Sequence, residues 1–400
     1  MKVTTFGEIL ELQRGFDLPA SEMINGDVPV AGSNGVIGYH NVAKVQPPCI
    51  TVGRSGSVGK VHYYNEPIWA HNTSLFVSDF KGNNRKYIYY LLKSKDFAKL
   101  CDSSVVPSLN RNFVYPIKTL FEENKDKQQK IATVLSSLDD KIALNRRMNA
   151  KLEQMAKRLY DHWFVQFDFP NADGKPYKAN GGKMVWNETF KREIPEGWEV
   201  KKLGELFTTN RGVSYSTKTI TGDTGIPMIN LASFSPDGSY KIDGIKLYTG
   251  DYTQEKVLKP FDLVMCNTQQ TAIDFSKDII GKALLVPDIF EGDITSSHHV
   301  NTLKVHDEKL KFYLYRLFNT DYFHAYISHF ASGTNIMGLD FAGVENYTAV
   351  IPGDEILSKF ADFTLNIEKK KSEIIRENTK LISLRDRLLP LLMNGQVEVK

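Results

Sequence analysis

Apolar residues recur at alternating four- and three-residue steps through two long stretches of the chain. The first runs Ile131, Leu135, Leu138, Ile142, Asn145, Asn149, Leu152, Ala156, Leu159, Trp163. The second runs Leu357, Phe360, Thr364, Ile367, Lys371, Ile374, Asn378, Leu381, Arg385, Leu388, Leu392. Such heptads describe helices with a seam facing a partner helix. Asn149 and Asn378 fall at equivalent seam positions, where a polar residue costs stability but fixes register and pairing. The second helix is expected to end near Pro390 and Asn394-Gly395, both stop signals. Spacing alone also suits two ordinary amphipathic helices, each packing on its own domain.

The chain repeats itself in three places. Val3-Thr4-Thr5-Phe6-Gly7-Glu8-Ile9, then Arg14-Gly15, is echoed 197 positions later by Val200-Lys201-Lys202-Leu203-Gly204-Glu205-Leu206, then Arg211-Gly212. Lys86-Tyr87-Ile88-Tyr89-Tyr90-Leu91-Leu92 is echoed at an offset of 225 by Lys311-Phe312-Tyr313-Leu314-Tyr315-Arg316-Leu317. Arg147-Met148-Asn149-Ala150-Lys151-Leu152 is echoed at 229 by Arg376-Glu377-Asn378-Thr379-Lys380-Leu381. Each match is weak by itself. Three in one order, with growing offsets, describe a tandem duplication whose second copy holds roughly 30 extra residues.

Each copy starts with a β-prone, Gly-rich globular part, with short runs such as Cys49-Ile50-Thr51-Val52 and Ser74-Leu75-Phe76-Val77. A Lys/Tyr-rich helical stretch and one long helix follow. Between the copies, Asp168 to Gly197 is rich in Gly, Pro, Asn and Lys and reads as a linker or long loop. The expected fold class is α+β, with two tandem mixed α/β domains, each followed by a long helix. The helices are expected to pair as an antiparallel coiled coil with pseudo-two-fold symmetry. The domains are expected at 1–120 and 198–352, the helices at 121–166 and 353–395, and the linker at 167–197. The 33 residues from Ile131 to Trp163 would span roughly 50 Å at a helical rise of 1.5 Å, long enough to act as a ruler between half-sites about 34–36 Å apart on DNA.

Composition changes this picture little. The 400 residues are 42% hydrophobic and 24% charged, ordinary globular values. Cys49, Cys101 and Cys266 are too scattered for a disulfide framework or a C-x-x-C knuckle, which suits a reducing cytoplasm. No secretory signal pattern follows Met1 and no run of 18 apolar residues occurs, so a cytoplasmic chain without membrane contact is expected. Net charge is only +3, and by bulk charge alone this is not a nucleic-acid binder. The average hides a difference. Residues 1–120 carry 13 basic and 9 acidic side chains, and residues 198–352 carry 14 and 18. An acidic second domain must gather its Lys and Arg on one face or borrow phosphate affinity from partners.

Catalytic motifs are missing. Gly53-Arg54-Ser55-Gly56-Ser57-Val58-Gly59-Lys60 has five residues between its outer glycines and lacks Ser or Thr after Lys60, unlike an ATP-binding loop. It suits a Gly-rich turn that brings backbone amides, Arg54 and Lys60 to a phosphate backbone. Gln46-Pro47-Pro48-Cys49 lacks the side chains with which adenine methyltransferases grip a flipped base. Glu368-Lys369-Lys370 and Glu398-Val399-Lys400 have no nuclease Pro-Asp partner, and His298-His299 reads as a surface pair with no metal cluster beside it. Side chains suited to base edges do gather in both globular parts. The first offers Arg14, Asn34, Arg54, Ser55, Ser57, Lys60, His71, Asn72, Asn110, Arg111 and Asn112. The second offers Arg211, Tyr215, Lys218, Asn230, Asn267, Gln269, Gln270, His298, His299 and Asn335. Each taken singly also suits an ordinary turn.

Four stretches carry a resemblance. They are Lys127-Gln128-Gln129-Lys130-Ile131-Ala132-Thr133-Val134-Leu135-Ser136-Ser137-Leu138-Asp139-Asp140-Lys141-Ile142, Leu159-Tyr160-Asp161-His162-Trp163-Phe164, Pro195-Glu196-Gly197-Trp198 before Leu203-Gly204-Glu205, and Leu384 through Gly395. With these the chain resembles the specificity subunits of Type I restriction–modification systems. The resemblance implies a non-enzymatic subunit with two target recognition domains, each reading half of a bipartite site in double-stranded DNA. It implies that the helices set the gap and dock two modification subunits, which methylate adenine, and that restriction subunits join to cut DNA. No cofactor is expected on this chain; S-adenosylmethionine, ATP and Mg belong to those partners. Recognition domains diverge within the family, so no base-contact residue is carried over. The competing reading is a coiled-coil scaffold without DNA contact.

Overall fold

The computed structural model describes residues 1–100, 108–270 and 277–399, so Cys101 and Lys400 lie outside the described residues. The chain divides into two compact units. Unit 1 is Met1–Leu144 with Asn378–Lys400, and unit 2 is Asn145–Glu377.

Unit 1 begins with β1 (Lys2–Thr5), α1 (Phe6–Ile9), β2 (Glu11–Arg14), β3 (Val28–Gly32), β4 (Gly35–His40), β5 (Cys49–Gly53), β6 (Val61–Tyr64), β7 (Trp69–Ala70) and β8 (Ser74–Asp79). Helices α2 (Arg85–Lys93) and α3 (Arg111–Val114) and strand β9 (Lys118–Phe121) lead into α4 (Lys125–Tyr160). The sheet order is β2-β8-β5-β6, with β4-β3-β7 beside it and β1 pairing β9 antiparallel from Lys2↔Phe121 to Thr5↔Lys118. The apolar run Cys49–Gly53 is buried along its whole length, as a central strand covered on both faces must be. Asn84 starts α2 by accepting the Tyr87 amide at 2.9 Å. The core gathers Leu12, Ile50, Leu75, Tyr87, Tyr90 and Leu91 with Ile131 and Leu135 of α4, and with Leu389 and Leu392 near the chain's end.

Unit 2 repeats the plan. A hairpin of β10 (Met184–Asn187) and β11 (Arg192–Pro195) precedes β12 (Glu199–Lys202), β13 (Phe207–Arg211), β14 (Ile220–Thr221), β15 (Ile226–Ile229), β16 (Lys246–Tyr248), β17 (Leu263–Cys266), β18 (Thr268–Gln270), β19 (Ala283–Leu285), β20 (Thr295–Ser296) and β21 (Val300–Val305). Then come α5 (Leu310–Phe318), α6 (Asp321–Ile327), β22 (Ala331–Ser332), β23 (Ile336–Leu339), α7 (Phe341–Asn346), β24 (Thr348–Ile351) and α8 (Asp354–Met393). The order β13-β21-β17-β19 matches β2-β8-β5-β6, and the β12–β24 pair matches β1–β9. The parallel contact of β15 with β20 (Met228↔Thr295) matches that of β3 with β7 (Val30↔Trp69).

The helices pair antiparallel inside each unit. In unit 1, Arg385 of α8 meets Asp139 of α4 at 2.8 Å, and Asp139 also accepts the Tyr90 hydroxyl at 2.7 Å. In unit 2, Asn145 donates to Glu377 at 2.7 Å and Lys371 meets Glu153 at 2.6 Å. None of the twelve predicted seam side chains is exposed: Ile131, Leu135, Leu138, Ile142, Asn149, Leu152, Leu159, Ile367, Ile374, Asn378, Leu381 and Leu388 are buried or half-buried. The seam asparagine seen bonding across to the partner helix is Asn145, one turn before Asn149.

One expectation holds and one needs correction. α8 passes through Pro390 and ends at Met393, directly before Asn394-Gly395. A proline removes one amide and crowds the carbonyl four residues back, and the final turn accommodates that loss; the left-handed Gly395 (φ +67°) follows the end. The stretch 167–197 is not an open linker. Phe167, Phe169 and Ile194 are buried, and Phe169 stacks on Tyr177 and Trp198 with ring centroids 4.5 and 4.9 Å away. Its Gly, Pro and Asn residues serve turns, while its aromatic residues complete the core of unit 2.

Unit 2 also buries charge. Arg316 of α5, 5% exposed, pairs with Glu153 of α4 and, at 3.0 Å, with Glu368 of α8. Lys371 bridges the same two carboxylates, reaching Glu368 at 2.9 Å. Burial opposes the Glu153 charge, but Arg316 and then Lys371 outweigh it and hold that carboxyl down at about 2.

Arg316→Met is expected to lower the unfolding free energy of unit 2 by up to about 3 kcal/mol, because it leaves Glu153 and the buried Glu368 to share Lys371. Arg385→Met should cost unit 1 less, since Asp139 keeps Tyr90 and the Arg385 side chain is 17% exposed against 4% for Arg316. Denaturant unfolding of each variant measures both. The Glu153 contribution should be complete above pH about 4.5 and lost as pH falls toward 2, because its folded value lies below its ordinary one. Unfolding midpoints of Glu153→Gln and the parent should therefore converge at low pH.

Candidate nucleic-acid interface

One end of the β2-β8-β5-β6 sheet is assembled from four segments of unit 1 through backbone bonds. The Gly15 amide donates to Ser74 (3.0 Å) and the Phe16 amide to Ala70 (2.7 Å). The His71 amide donates to Ala31 (2.9 Å), and His71 in turn accepts the Ser74 amide (2.9 Å). Arg54 donates its amide to Thr73 and accepts that of Leu109, both at 2.8 Å.

Unit 2 makes every one of these bonds again. Gly212 donates to Val300 (3.2 Å), Val213 to Ser296 (2.7 Å), Ser297 to Ile229 (2.8 Å) and Val300 to Ser297 (2.9 Å). Asn267 donates to His299 (3.0 Å) and accepts from Leu339 (2.9 Å). A short helix then starts in each unit under a capping side chain. Asn110 accepts the Asn112 amide and Asp340 that of Ala342, both at 3.0 Å. Position by position, Arg14 corresponds to Arg211, Arg54 to Asn267, His71-Asn72-Thr73 to Ser297-His298-His299, and Asn110 to Asp340. The step between copies grows from 198 at Ala31/Ile229 to 213 at Arg54/Asn267 and 226 at Ala70/Ser296, which locates the inserted residues on either side of β17. The frame is tight. A Cβ on Gly15 would strike the His71 carbonyl oxygen, and one on Gly212 those of Ser296 and Ser297.

Most of the candidates in unit 1 meet on this frame. Arg54 is half-buried and donates to the Asn72 carbonyl at 3.3 Å. Ser55 bridges to Ser108, and Ser57 turns the Gly53 loop with its carbonyl against Gly53. Arg14 pairs with Asp17 at 2.8 Å, and Asn72 donates to the same carboxylate. That hydrogen bond, and then Arg14, hold Asp17 below the usual carboxylate range. His71 shares a 2.9 Å bond with the Thr73 hydroxyl. Exposed Arg111 donates to the Leu12 carbonyl at 3.1 Å. Lys60, also exposed, donates to Asn34 at 2.7 Å. Asn110 and Asn112 are exposed at the start of α3.

The candidates in unit 2 divide. Arg211, Tyr215, His298 and His299 come together, with ring centroids 5.3 Å apart for Tyr215–His298 and 3.8 Å for the two imidazoles. Burial, then His298, Arg211 and Lys246, push the His299 ring below its ordinary pKa and keep it neutral. Asn267 and Gln269 instead turn inward. Asn267 donates to Asn301 at 2.7 Å and Gln269 accepts the Ile279 amide at 2.7 Å. Asn230 is also buried, donating to the Gly244 carbonyl at 2.6 Å. Their bonds support the frame, and their burial keeps them from a base. Lys218 and Asn335 are exposed on turns, Asn335 next to Ile336, which pairs with Gln270. The Gln270 backbone lies in β18, and its side chain lies outside the described residues.

Lys246 was missed by sequence reading. Its ammonium lies 5.5 Å from the Tyr215 ring centroid, on a strand in the inserted region with no matching motif. Thr73, the counterpart of His299, was also missed. A fourth repeat landmark, Ser108-Leu109-Asn110 against Gly338-Leu339-Asp340, was legible and would have aligned the two frames. Among the described residues no group of three His, Cys, Asp or Glu could hold a metal, and no helix is long and apolar enough to cross a membrane.

Comparison with known proteins agrees with this geometry. The family model for the Type I restriction modification DNA specificity domain matches residues 1–154 and 195–378. The MjaIX specificity subunit of Methanocaldococcus jannaschii is 27% identical over 326 residues, covering 79% of this chain and 69% of that protein. The HindI specificity subunit of Haemophilus influenzae is 25% identical over 332 residues, covering 68% of each. The crystal structure of a Type I restriction–modification S subunit from M. genitalium shares the fold, with a TM-score of 0.60 at 14% identity over 98% of this chain and 96% of that one.

Gly212→Ala should destabilise unit 2, and Gly15→Ala unit 1, by about 1–3 kcal/mol, because the added methyl forces the carbonyls apart. Gly222 has open space around it, so Gly222→Ala should stay within about 0.5 kcal/mol of the parent in the same unfolding assay.

Proposed function

The chain belongs to the Type I restriction modification DNA specificity family, and from that premise we propose that it is the sequence-reading subunit of such a complex, each unit reading one half of a bipartite site in double-stranded DNA. The observation that carries this reading is the doubled frame: one set of backbone bonds, made twice, presents different side chains in the two units. A split target with unlike halves is what such a chain suits. A scaffold without DNA contact has no need of a second frame bearing its own polar side chains.

In this reading the chain performs no chemistry. Two modification subunits dock on the paired helices, bind S-adenosylmethionine and methylate adenine. Restriction subunits supply ATP- and Mg-dependent cleavage, and the complex works in the cytoplasm. Unit 1 supplies Arg54, Arg14 and Arg111 to guanine edges and phosphates. Unit 2, whose domain is acidic by four charges, has Arg211 and Lys246 beside its cluster and takes the rest of its phosphate affinity from the modification subunits.

The helices set the gap between half-sites. Because α4 and α8 run antiparallel, a change in one alone breaks their register, so insertions must match. Seven residues added after Leu144 together with seven added before Asn378 lengthen the pair by about 10 Å, or about three base pairs. Methylome sequencing of cells expressing the chain with its modification partner should show one split motif, and the matched insertion should widen only its gap. An unchanged gap would refute the ruler role.

A further inference from the structure

Two imidazoles in unit 2 each have a buried ring nitrogen with no hydrogen-bond partner among the described residues. The main chain of His298 and His299 is held from several sides. The His298 amide donates to Val213 at 2.8 Å, and its carbonyl accepts the Arg211 Nε at 2.8 Å and the Asn267 side chain at 3.3 Å. The His299 carbonyl accepts the Asn267 amide. In the rings, by contrast, Nδ1 of each is buried without a hydrogen-bond partner among the described residues. Buried ring nitrogens usually have partners, and each exception calls for a ligand or a solvent molecule. An apolar residue would fill the same space at lower cost, so packing does not account for a close, tilted histidine pair.

The corresponding turn of unit 1 differs in chemistry and not in frame. There Asn72 is engaged by Asp17, and Thr73 by His71. Unit 1 instead presents Arg54, whose guanidinium makes only a 3.3 Å bond to the turn; unit 2 has the inward-facing Asn267 at that position. The turn of unit 2 thus carries two half-buried imidazoles, each with an unpartnered ring nitrogen, where the turn of unit 1 carries a bonded amide and hydroxyl. A neutral imidazole carries one donor and one acceptor, and His299 is held neutral by its burial and by the cations around it. His299 can therefore meet both kinds of group on a base edge.

We propose that His298 and His299 read base-pair edges in the half-site taken by unit 2, with Tyr215 buttressing the rings and Arg211 and Lys246 facing the adjacent phosphates. This rests on the reading of the chain as a DNA-specificity subunit. The geometry gives each residue its part. Tyr215 contacts both the Lys246 ammonium and the His298 ring, and the two imidazoles lie 3.8 Å apart with their planes tilted by 40°.

The experiment uses the full chain assembled with its modification subunits and a DNA library in which either half of the site is randomised. Methylated products are sequenced. Two double variants are compared with the parent. One is His298→Ala with His299→Ala. The other is His298→Asn with His299→Thr, which places the unit 1 turn on the unit 2 frame. Discrimination should fall by about tenfold or more at one or two base pairs of a single half, with the other half and the gap unchanged. A variant complex that assembles and keeps the parental motif in both halves overturns the proposal. Failure of both variants to assemble also overturns it, because the imidazoles would then be structural. If the parent complex methylates no defined sequence, the DNA-specificity reading itself fails, a result distinct from either of these.

Discussion

Charge buried along the helix seam is the constraint on which the rest of the structure depends. Glu153, Arg316, Glu368 and Lys371 cannot leave water singly at tolerable cost, and together they tie α4, α5 and α8 of unit 2 into one arrangement. In unit 1 the Tyr90–Asp139–Arg385 chain makes the same three-way tie between α2, α4 and the end of α8. Apolar seam residues alone would tolerate sliding by a heptad. Paired charges do not, because a slipped register leaves an ion without its partner.

The two ties are related but not identical. Asp139 and Glu368 stand 229 positions apart, the repeat offset of the long helices, so an acidic residue occupies the same place in both copies. Its cation differs: unit 1 takes Arg385 from the facing long helix, while unit 2 takes Arg316 from the short helix, where unit 1 has Leu91. The counterpart of Arg385 is Ala156. A duplicated fold has thus kept its carboxylate and moved the arginine, which preserves the tie between the same three helices.

A similar separation of scaffold from chemistry governs the interface. The bonds that shape each sheet end run between main-chain amides and carbonyls, and they impose side-chain identity only where space is lacking, as at Gly15 and Gly212. Arg54 and Asn267, or Asn72 and His298, occupy matching positions without disturbing the frame. Recognition can therefore change in one unit while folding and helix pairing are kept, as suits a protein that reads two unlike half-sites.

The chain's own pattern already held its plan: the heptads, the duplication and the absence of catalytic motifs follow from local periodicity and from residue types. Strand order, by contrast, was not legible, because β5 is buried on both faces and shows no alternation. Loop composition misled where tertiary packing outweighed it, as in the aromatic-rich stretch 167–197. For the interface, residue type picked out Arg54, Arg211, His298 and His299, but could not separate them from Asn267 and Gln269, which are buried inside unit 2 and bonded there to Asn301 and to the Ile279 amide. Lys371 and Arg385 broke the apolar seam, yet only the folded chain shows that each faces a carboxylate. Sequence determined which segments form and that they occur twice, since helix and repeat signals lie in neighbouring residues. Tertiary structure decided which polar groups are spent internally and which stay exposed, since that depends on partners up to 246 residues away.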